Sequence, residues 1–136
     1  MIIGVDFDGT IVTHQYPNIG QPVPGAIETL KTLIKNGHRV FLWTMRSNKR
    51  YQGRDLLTEA VQYLLDNDVD ICGANSSPEQ FSASPKQYAQ IYIDDAALGC
   101  PLVYPGGRPF VNWYKVGKKL IEEGLITEEQ FIEIWD

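Results

Sequence analysis

Short apolar runs alternate with stretches of helical periodicity along most of the chain. The short runs are rich in β-prone residues and are bounded by polar or turn residues, which is typical of strands buried inside a sheet. In the stretches between them, apolar residues recur every three or four positions, as they do along one face of a helix. The predicted strands are 2–5, 40–43, 69–72 and 90–93, and the predicted helices begin near 24 and 53 and end near 36 and 65.

Two further short helices are predicted at the end of the chain. Apolar residues at helical spacing stop at Gly124, a normal helix end, and Thr127 with Gln130 forms a capping box that opens the last helix. Strands that alternate with helices form a mostly parallel sheet, because a parallel connection needs a crossover segment. We therefore expect an α/β fold in a single domain, residues 1–136, with its central sheet covered on both faces.

The composition narrows the class of protein. A chain of 136 residues with 43% apolar and 21% charged side chains is typical of one globular domain. Its 17 acidic and 12 basic side chains give a formal charge of −5. This acidic balance argues against an extensive nucleic-acid surface and against binding to anionic membranes, since both need clustered Lys and Arg.

Several features predict a cytoplasmic protein. No apolar stretch is long enough to span a bilayer, and the first residues lack the basic and apolar regions of a signal peptide. The two cysteines, Cys72 and Cys100, match no metal-binding or disulfide spacing. We therefore expect two buried free thiols in a reducing compartment.

Reactive polar residues follow three of the four predicted strands. Asp6 comes directly after the first strand, Thr44 after the second, and the pair Asp94–Asp95 after the last. Ligands of open α/β sheets bind beyond the carboxyl ends of the strands, and these ends meet at one edge of a parallel sheet. The sequence therefore predicts a site in which these side chains converge.

The motifs Asp6-Phe7-Asp8-Gly9-Thr10, Thr44, Lys86 and Asp94-Asp95 together resemble the haloacid dehalogenase (HAD) superfamily of phosphohydrolases. All four occur in the order of that superfamily, over residues 2–95. Taken singly, each has an ordinary structural explanation: a turn, a strand residue, a solvated lysine or a helix N-cap. The resemblance implies a HAD-like fold, a Rossmann-like three-layer α/β/α sandwich. The intervals between the motifs are filled by core elements, so no room is left for a cap domain.

The resemblance implies a Mg²⁺-dependent phosphomonoester hydrolase. Asp6 would attack phosphorus and form an aspartyl-phosphate, which divides one difficult step into two. Asp8 would act as general acid and then as general base. Thr10 would orient this loop beside the phosphate. Thr44 and Lys86 would bind phosphoryl oxygens, and Lys86 would also hold Asp6 ionised.

The same resemblance implies the metal ligands. Mg²⁺ prefers carboxylate, carbonyl and water oxygens, often together with a substrate phosphate. Its protein ligands would be the Asp6 carboxylate, the backbone carbonyl of Asp8 and one carboxylate of the Asp94–Asp95 pair. Asp95 is the expected direct ligand. Asp94 is expected to lie next to the bound metal without binding it directly.

The sequence constrains the substrate less tightly. Arg46 is expected either to contact the substrate or to form a surface ion pair. The segment 12–24 corresponds to the flap of the superfamily, and its candidate contacts with the leaving group are His14, Tyr16 and Asn18. Nucleotides, sugar phosphates and nucleic-acid ends are all candidate substrates. An uncapped site is open, so either the substrate is large or a neighbouring subunit of a homo-oligomer acts as a lid.

Three other functions are weighed against hydrolysis. A receiver domain of a signalling protein also gathers acids, Thr and Lys around Mg²⁺, but it places its paired acids on the first strand, whereas here they come last. A phosphotransferase shares the aspartyl-phosphate but generally relies on a cap to exclude water. A non-catalytic module that binds a phospho-ligand is disfavoured because no motif residue is missing.

Overall fold

Three parallel strands form the central sheet. The computed structural model describes all 136 residues. In chain order the elements are β1 Ile2–Val5, α1 Ala26–Lys35, β2 Arg39–Leu42, α2 Leu56–Asp66, β3 Ile91–Ile93, β4 Leu102–Val103, β5 Phe110–Val111, α3 Trp113–Glu122 and α4 Glu128–Trp135. The order of the strands in this sheet is β2-β1-β3, and both pairings are parallel. The predicted α/β fold with a parallel sheet is therefore confirmed.

Local sequence signals set the helix ends. Asp55 caps α2 by accepting a hydrogen bond from the Thr58 N–H at 3.0 Å. The predicted capping box of α4 forms: Thr127 Oγ1 accepts from the Gln130 N–H, and the Gln130 side chain accepts from the Thr127 N–H. Gly124 follows α3 with a φ of 73°, a left-handed conformation that glycine adopts at no steric cost.

One face of the sheet carries the main hydrophobic core. The register places Ile3 beside Val40 and Ile91, so these side chains share a face. Buried side chains of all four helices belong to the same core cluster as Ile3 and Val40. On the opposite face Phe41 is fully buried, and a Cβ at Gly4 would lie 2.8 Å from its ring. Glycine at position 4 therefore allows an aromatic ring to lie directly against the central strand.

The predicted strand 69–72 does not form. The segment runs beside β2, where the Cys72 N–H donates to the Val40 carbonyl at 2.8 Å. Its one ladder contact is a parallel bridge between Leu42 and Ala74. None of residues 70–74 is buried, so the short apolar run lacks the two covered faces that a central strand has.

A two-stranded antiparallel pair forms where the sequence predicts only a loop. Leu102 lies opposite Val111 and Val103 opposite Phe110, so β4 and β5 have two residues each. Strands this short show no alternation of apolar and polar residues. The loop between them, 104–109, is irregular, as the sequence indicates.

The free cysteines are more exposed than expected. Cys72 is solvent-exposed, with its thiol donating to the Val40 carbonyl, whereas Cys100 is half-buried. The prediction of two buried thiols is therefore wrong for Cys72, because its segment lies at the edge of the sheet instead of within it. No helix in the structure combines the length and the apolar character that crossing a membrane requires.

Candidate active site

Three carboxylates converge at the carboxyl edge of the parallel sheet. Asp6 directly follows β1, and Asp94 and Asp95 directly follow the neighbouring strand β3. One carboxylate oxygen from each of the three lies within 4.8 Å of the others. Adjacent parallel strands end side by side, so the residues that follow them are brought together although they are distant in sequence.

The Thr10 hydroxyl links the two strand ends. Thr10 is fully buried, donates a hydrogen bond to Asp6 Oδ2 at 3.1 Å and accepts one from the Asp95 N–H at 3.2 Å. The Trp113 indole N–H in turn donates to the Thr10 carbonyl at 2.7 Å. Thr10 therefore holds Asp6 and the backbone of Asp95 in place, and Trp113 of α3 holds the backbone of Thr10.

Burial and mutual repulsion hold protons on the acid cluster. Burial above all, with the negative charge of Asp94 and a hydrogen bond with Asp95, raises the pKa of Asp6 to about 8. Burial also raises the pKa of Asp94, with Asp95 contributing. A cation among these oxygens would favour their ionised forms, so the cluster is electrostatically suited to one.

The donor set of the site fits a hard divalent cation. It consists of the carboxylate oxygens of Asp6, Asp94 and Asp95. Oxygen-only donor sets with several carboxylates are those that Mg²⁺ and Ca²⁺ prefer. No Cys or His belongs to the group that converges here, which argues against a site built for zinc.

His14 and Gly9 complete the acidic side of the site. His14 Nε2 lies 2.9 Å from Asp95 Oδ2, and both side chains are mostly buried. Gly9 has a φ of 81°, and a Cβ there would overlap both the His14 imidazole and the Asp95 carboxylate. His14 therefore contacts an acid of the site through Nε2. No sequence pattern joins His14 to Asp95, because they lie on separate loops.

Asp8 and Arg46 form a buried bidentate ion pair. Arg46 Nε donates to Asp8 Oδ2 and Nη2 donates to Oδ1, both at 2.8 Å. Arg46 is 1% exposed and also donates to the carbonyls of Pro17, Asn18 and Leu56. The prediction of a surface ion pair for Arg46 is wrong. Arg46 forms an ion pair that is buried instead of superficial, and all of its donor atoms are used within the protein.

Thr44 lies in a loop organised by an asparagine. Its backbone N–H donates to Asn75 Oδ1 at 2.8 Å, and Asn75 Nδ2 donates to the Arg46 carbonyl at 3.0 Å. The Thr44 hydroxyl oxygen accepts from the Arg46 N–H at 3.2 Å, and its own proton has no acceptor in the protein. Sequence reasoning did not find Asn75. Its φ of 55° marks a special backbone position that asparagine tolerates, a weak signal in the sequence.

Lys86 lies at the margin of the site. Its side chain is exposed, and Nζ lies 5.7 Å from the centroid of the Tyr92 ring. It lines a shallow cavity of about 260 Å³ together with Asp94 and Trp43. The predicted ion pair between Lys86 and Asp6 does not form. The segment that carries Lys86 is irregular, so no strand or helix directs this side chain inward.

The fold and the site define an α/β protein with an acidic cluster at the carboxyl edge of a parallel sheet. No family model matches the sequence, and no curated protein sequence matches it. A solved structure does: a conserved protein from Bacteroides thetaiotaomicron is 37% identical, with a TM-score of 0.69 over 91% of each chain. The chain belongs to the same family as this conserved Bacteroides protein.

Proposed function

We propose that the chain is a Mg²⁺-dependent phosphomonoester hydrolase of the HAD type, an uncapped form of the Rossmann-like three-layer fold. The observation that carries the proposal is the convergence of Asp6, Asp94 and Asp95 around the Thr10 hydroxyl. Asp8, two residues after Asp6, is the proposed general acid and base. The unpaired thiols of Cys72 and Cys100 favour a reducing, cytoplasmic location.

The metal would be held by this chain's oxygen atoms. Asp6 would supply one carboxylate oxygen, Asp8 its backbone carbonyl and Asp95 a second carboxylate oxygen, with Asp94 adjusting the charge behind it. Asp95 is favoured over Asp94 because its backbone is held by Thr10 and its side chain by His14. When bound, Mg²⁺ neutralises charge on the phosphoryl oxygens and on the acids.

The proposed reaction has two steps. Asp6 attacks the phosphorus of the substrate in line with the leaving oxygen, and the bond between phosphorus and that oxygen breaks as Asp8 gives it a proton. Water then attacks the phosphorus of the aspartyl-phosphate while Asp8 takes its proton, which releases inorganic phosphate and restores Asp6. Thr44 donates its free hydroxyl proton to a phosphoryl oxygen, and Lys86 pairs with another once substrate is bound.

Arg46 is a positioning residue in this scheme. Both carboxylate oxygens of Asp8 are bonded to its guanidinium, so Asp8 must give up or share one of these bonds to reach the leaving oxygen. The remaining bond keeps the carboxylate on the leaving-group side. Arg46 itself cannot reach the substrate, because its other nitrogen donates to backbone carbonyls.

The proposal is tested by phosphate release from 4-nitrophenyl phosphate. We expect turnover with Mg²⁺, loss of turnover with EDTA, and its return when Mg²⁺ is added in excess. Asp6→Asn should abolish turnover, whereas Asp70→Asn, an exposed carboxylate elsewhere, should leave it unchanged. Circular dichroism confirms that both variants fold. Full activity without metal, or wild-type turnover by Asp6→Asn, would overturn the proposal.

A further inference from the structure

A pocket of about 220 Å³ lies between the 12–24 segment and the segment that follows β2. Its lining residues are Tyr16, Ser47, Lys49, Arg50, Tyr51 and Leu56. The Arg46 guanidinium separates it from the site, because Arg46 bonds Asp8 at 2.8 Å and lies 5.3 Å from the centroid of the Tyr16 ring. Arg46 therefore links Asp8, the proposed acid, to Tyr16, a lining residue of the pocket.

Two exposed aromatic rings form one wall of the pocket. Tyr16 and Tyr51 are 52% and 43% exposed, and their ring centroids lie 6.3 Å apart at an angle of 46°. Neither ring belongs to the hydrophobic core. Exposed aromatic rings beside a polar site offer faces on which a planar heterocycle stacks.

Two cations on the pocket, Lys49 and Arg50, form no salt bridge. Lys49 makes no ion pair or side-chain hydrogen bond, and Arg50 donates only to the Gly53 carbonyl, at 3.1 Å. Both stand out in a chain whose net charge is −5. Lys and Arg side chains that line one pocket are suited to an anionic group, a phosphate above all.

The wall is held in place before any ligand binds. Tyr51 and Arg54 exchange two backbone hydrogen bonds of 2.9 Å across a tight turn whose central residues, Gln52 and Gly53, both have positive φ. The Arg54 side chain then bonds Asn18 Oδ1 at 3.0 Å, which ties the turn to the flap. Ligand binding therefore costs little conformational entropy in this loop.

We propose that the substrate is a nucleotide that carries a second phosphate, as in a nucleoside 3′,5′-bisphosphate. The inference rests on the proposed function. The base stacks on Tyr16 and Tyr51, the second phosphate binds Lys49 and Arg50, and the scissile phosphate lies at Asp6. The pocket is smaller than the roughly 300 Å³ of a drug-sized site, so it accommodates one base while the ribose lies in the open site. A sugar phosphate has no aromatic face to use this wall.

The test compares kcat/KM for four substrates with Mg²⁺ present: glycerol 2-phosphate, ribose 5-phosphate, adenosine 5′-monophosphate and adenosine 3′,5′-bisphosphate. We expect the bisphosphate to exceed ribose 5-phosphate by at least 100-fold, with the monophosphate between them. In the variant Lys49→Gln/Arg50→Gln, the ratio of kcat/KM for the bisphosphate to that for glycerol 2-phosphate should fall at least tenfold, mainly through KM. Lys35→Gln, a cation at the end of α1, should leave the ratio unchanged.

Two substitutions of Tyr51 test whether its aromatic ring binds the base. Tyr51→Leu should lower kcat/KM for both adenine nucleotides about fivefold or more relative to glycerol 2-phosphate, whereas Tyr51→Phe, which keeps the ring, should stay within twofold of the wild-type ratio. Melting temperatures of all variants exclude loss of fold as the cause.

The outcomes separate this inference from the proposed function. If wild type hydrolyses neither glycerol 2-phosphate nor 4-nitrophenyl phosphate, the proposed function itself fails. If it hydrolyses them but prefers ribose 5-phosphate to the adenine nucleotides, or if the substrate ratio does not change in Lys49→Gln/Arg50→Gln, the nucleotide inference is wrong and the hydrolase proposal stands.

Discussion

The acid cluster should make the metal-free protein less stable as the pH rises from about 4 to 8. Asp6 releases its proton near 3.8 in the unfolded chain and near 8 in the folded one. Between these values the folded state binds more protons, so the free energy of unfolding falls with increasing pH. The stabilising contribution of the proton on Asp6 is fully present below pH 3.8 and is lost as the pH passes 8.

The size of this effect follows from the same two values. One proton held across this window is worth ~1.4 kcal/mol per pH unit, which sets an upper bound of roughly 6 kcal/mol. Asp94 shares the repulsion with Asp6, and solvent screens part of it, so we expect ~2 to 3 kcal/mol between pH 5 and pH 8. For a chain of this length that corresponds to roughly 5 to 10 °C in Tm.

Asp6→Asn isolates the effect. An asparagine resembles the protonated acid in shape, accepts from the Thr10 hydroxyl and carries no charge. In EDTA at pH 8 this variant should therefore be more stable than wild type by ~2 kcal/mol, although it is inactive. Urea unfolding at pH 5 and pH 8, followed by circular dichroism, measures the free energy of unfolding of wild type and of Asp6→Asn. Asp70→Asn is the control.

Excess Mg²⁺ at pH 8 should raise the free energy of unfolding of the wild-type protein, because a ligand stabilises only the state that binds it. The stability of Asp6→Asn should be almost unaffected. A wild-type protein equally stable at pH 5 and pH 8 in EDTA, or an Asp6→Asn variant less stable than wild type at pH 8, would refute the electrostatic account.

Three further predictions concern the residues around Asp6. Asp8→Asn should lower kcat/KM, which reports the first step, ~100-fold or more for glycerol 2-phosphate but much less for 4-nitrophenyl phosphate, because the nitrophenolate leaves without a proton; equal losses in kcat/KM would exclude the acid role. Arg46→Leu should cost ~3 kcal/mol in urea unfolding by leaving Asp8 unpaired, and Asp8→Leu/Arg46→Leu should recover part of it; no recovery would show that packing dominates. By calorimetry, Asp95→Asn should weaken Mg²⁺ binding more than Asp94→Asn does, and the reverse order would assign Asp94 as the ligand.

Regular periodicity in the sequence predicts most of the elements that position the site. Apolar runs give the three paired strands, and turn residues give the helix ends, because both depend on local side-chain preferences. The meeting of Asp6 with Asp94 and Asp95 follows from this, since the ends of adjacent parallel strands are neighbours whatever the loops do. The segment 69–72 was predicted wrongly because periodicity alone does not say whether a run is covered on both faces.

By itself the sequence determined the α/β class, the strand ends and the acids that follow them. Only the tertiary structure decided which side chains pair across the loops: Arg46 with Asp8, and His14 with Asp95. It also left Lys86 exposed beside Tyr92. The physical reason is that strands and helices are set by neighbours a few residues away, whereas loop side chains settle according to the burial and charge that distant segments bring to them.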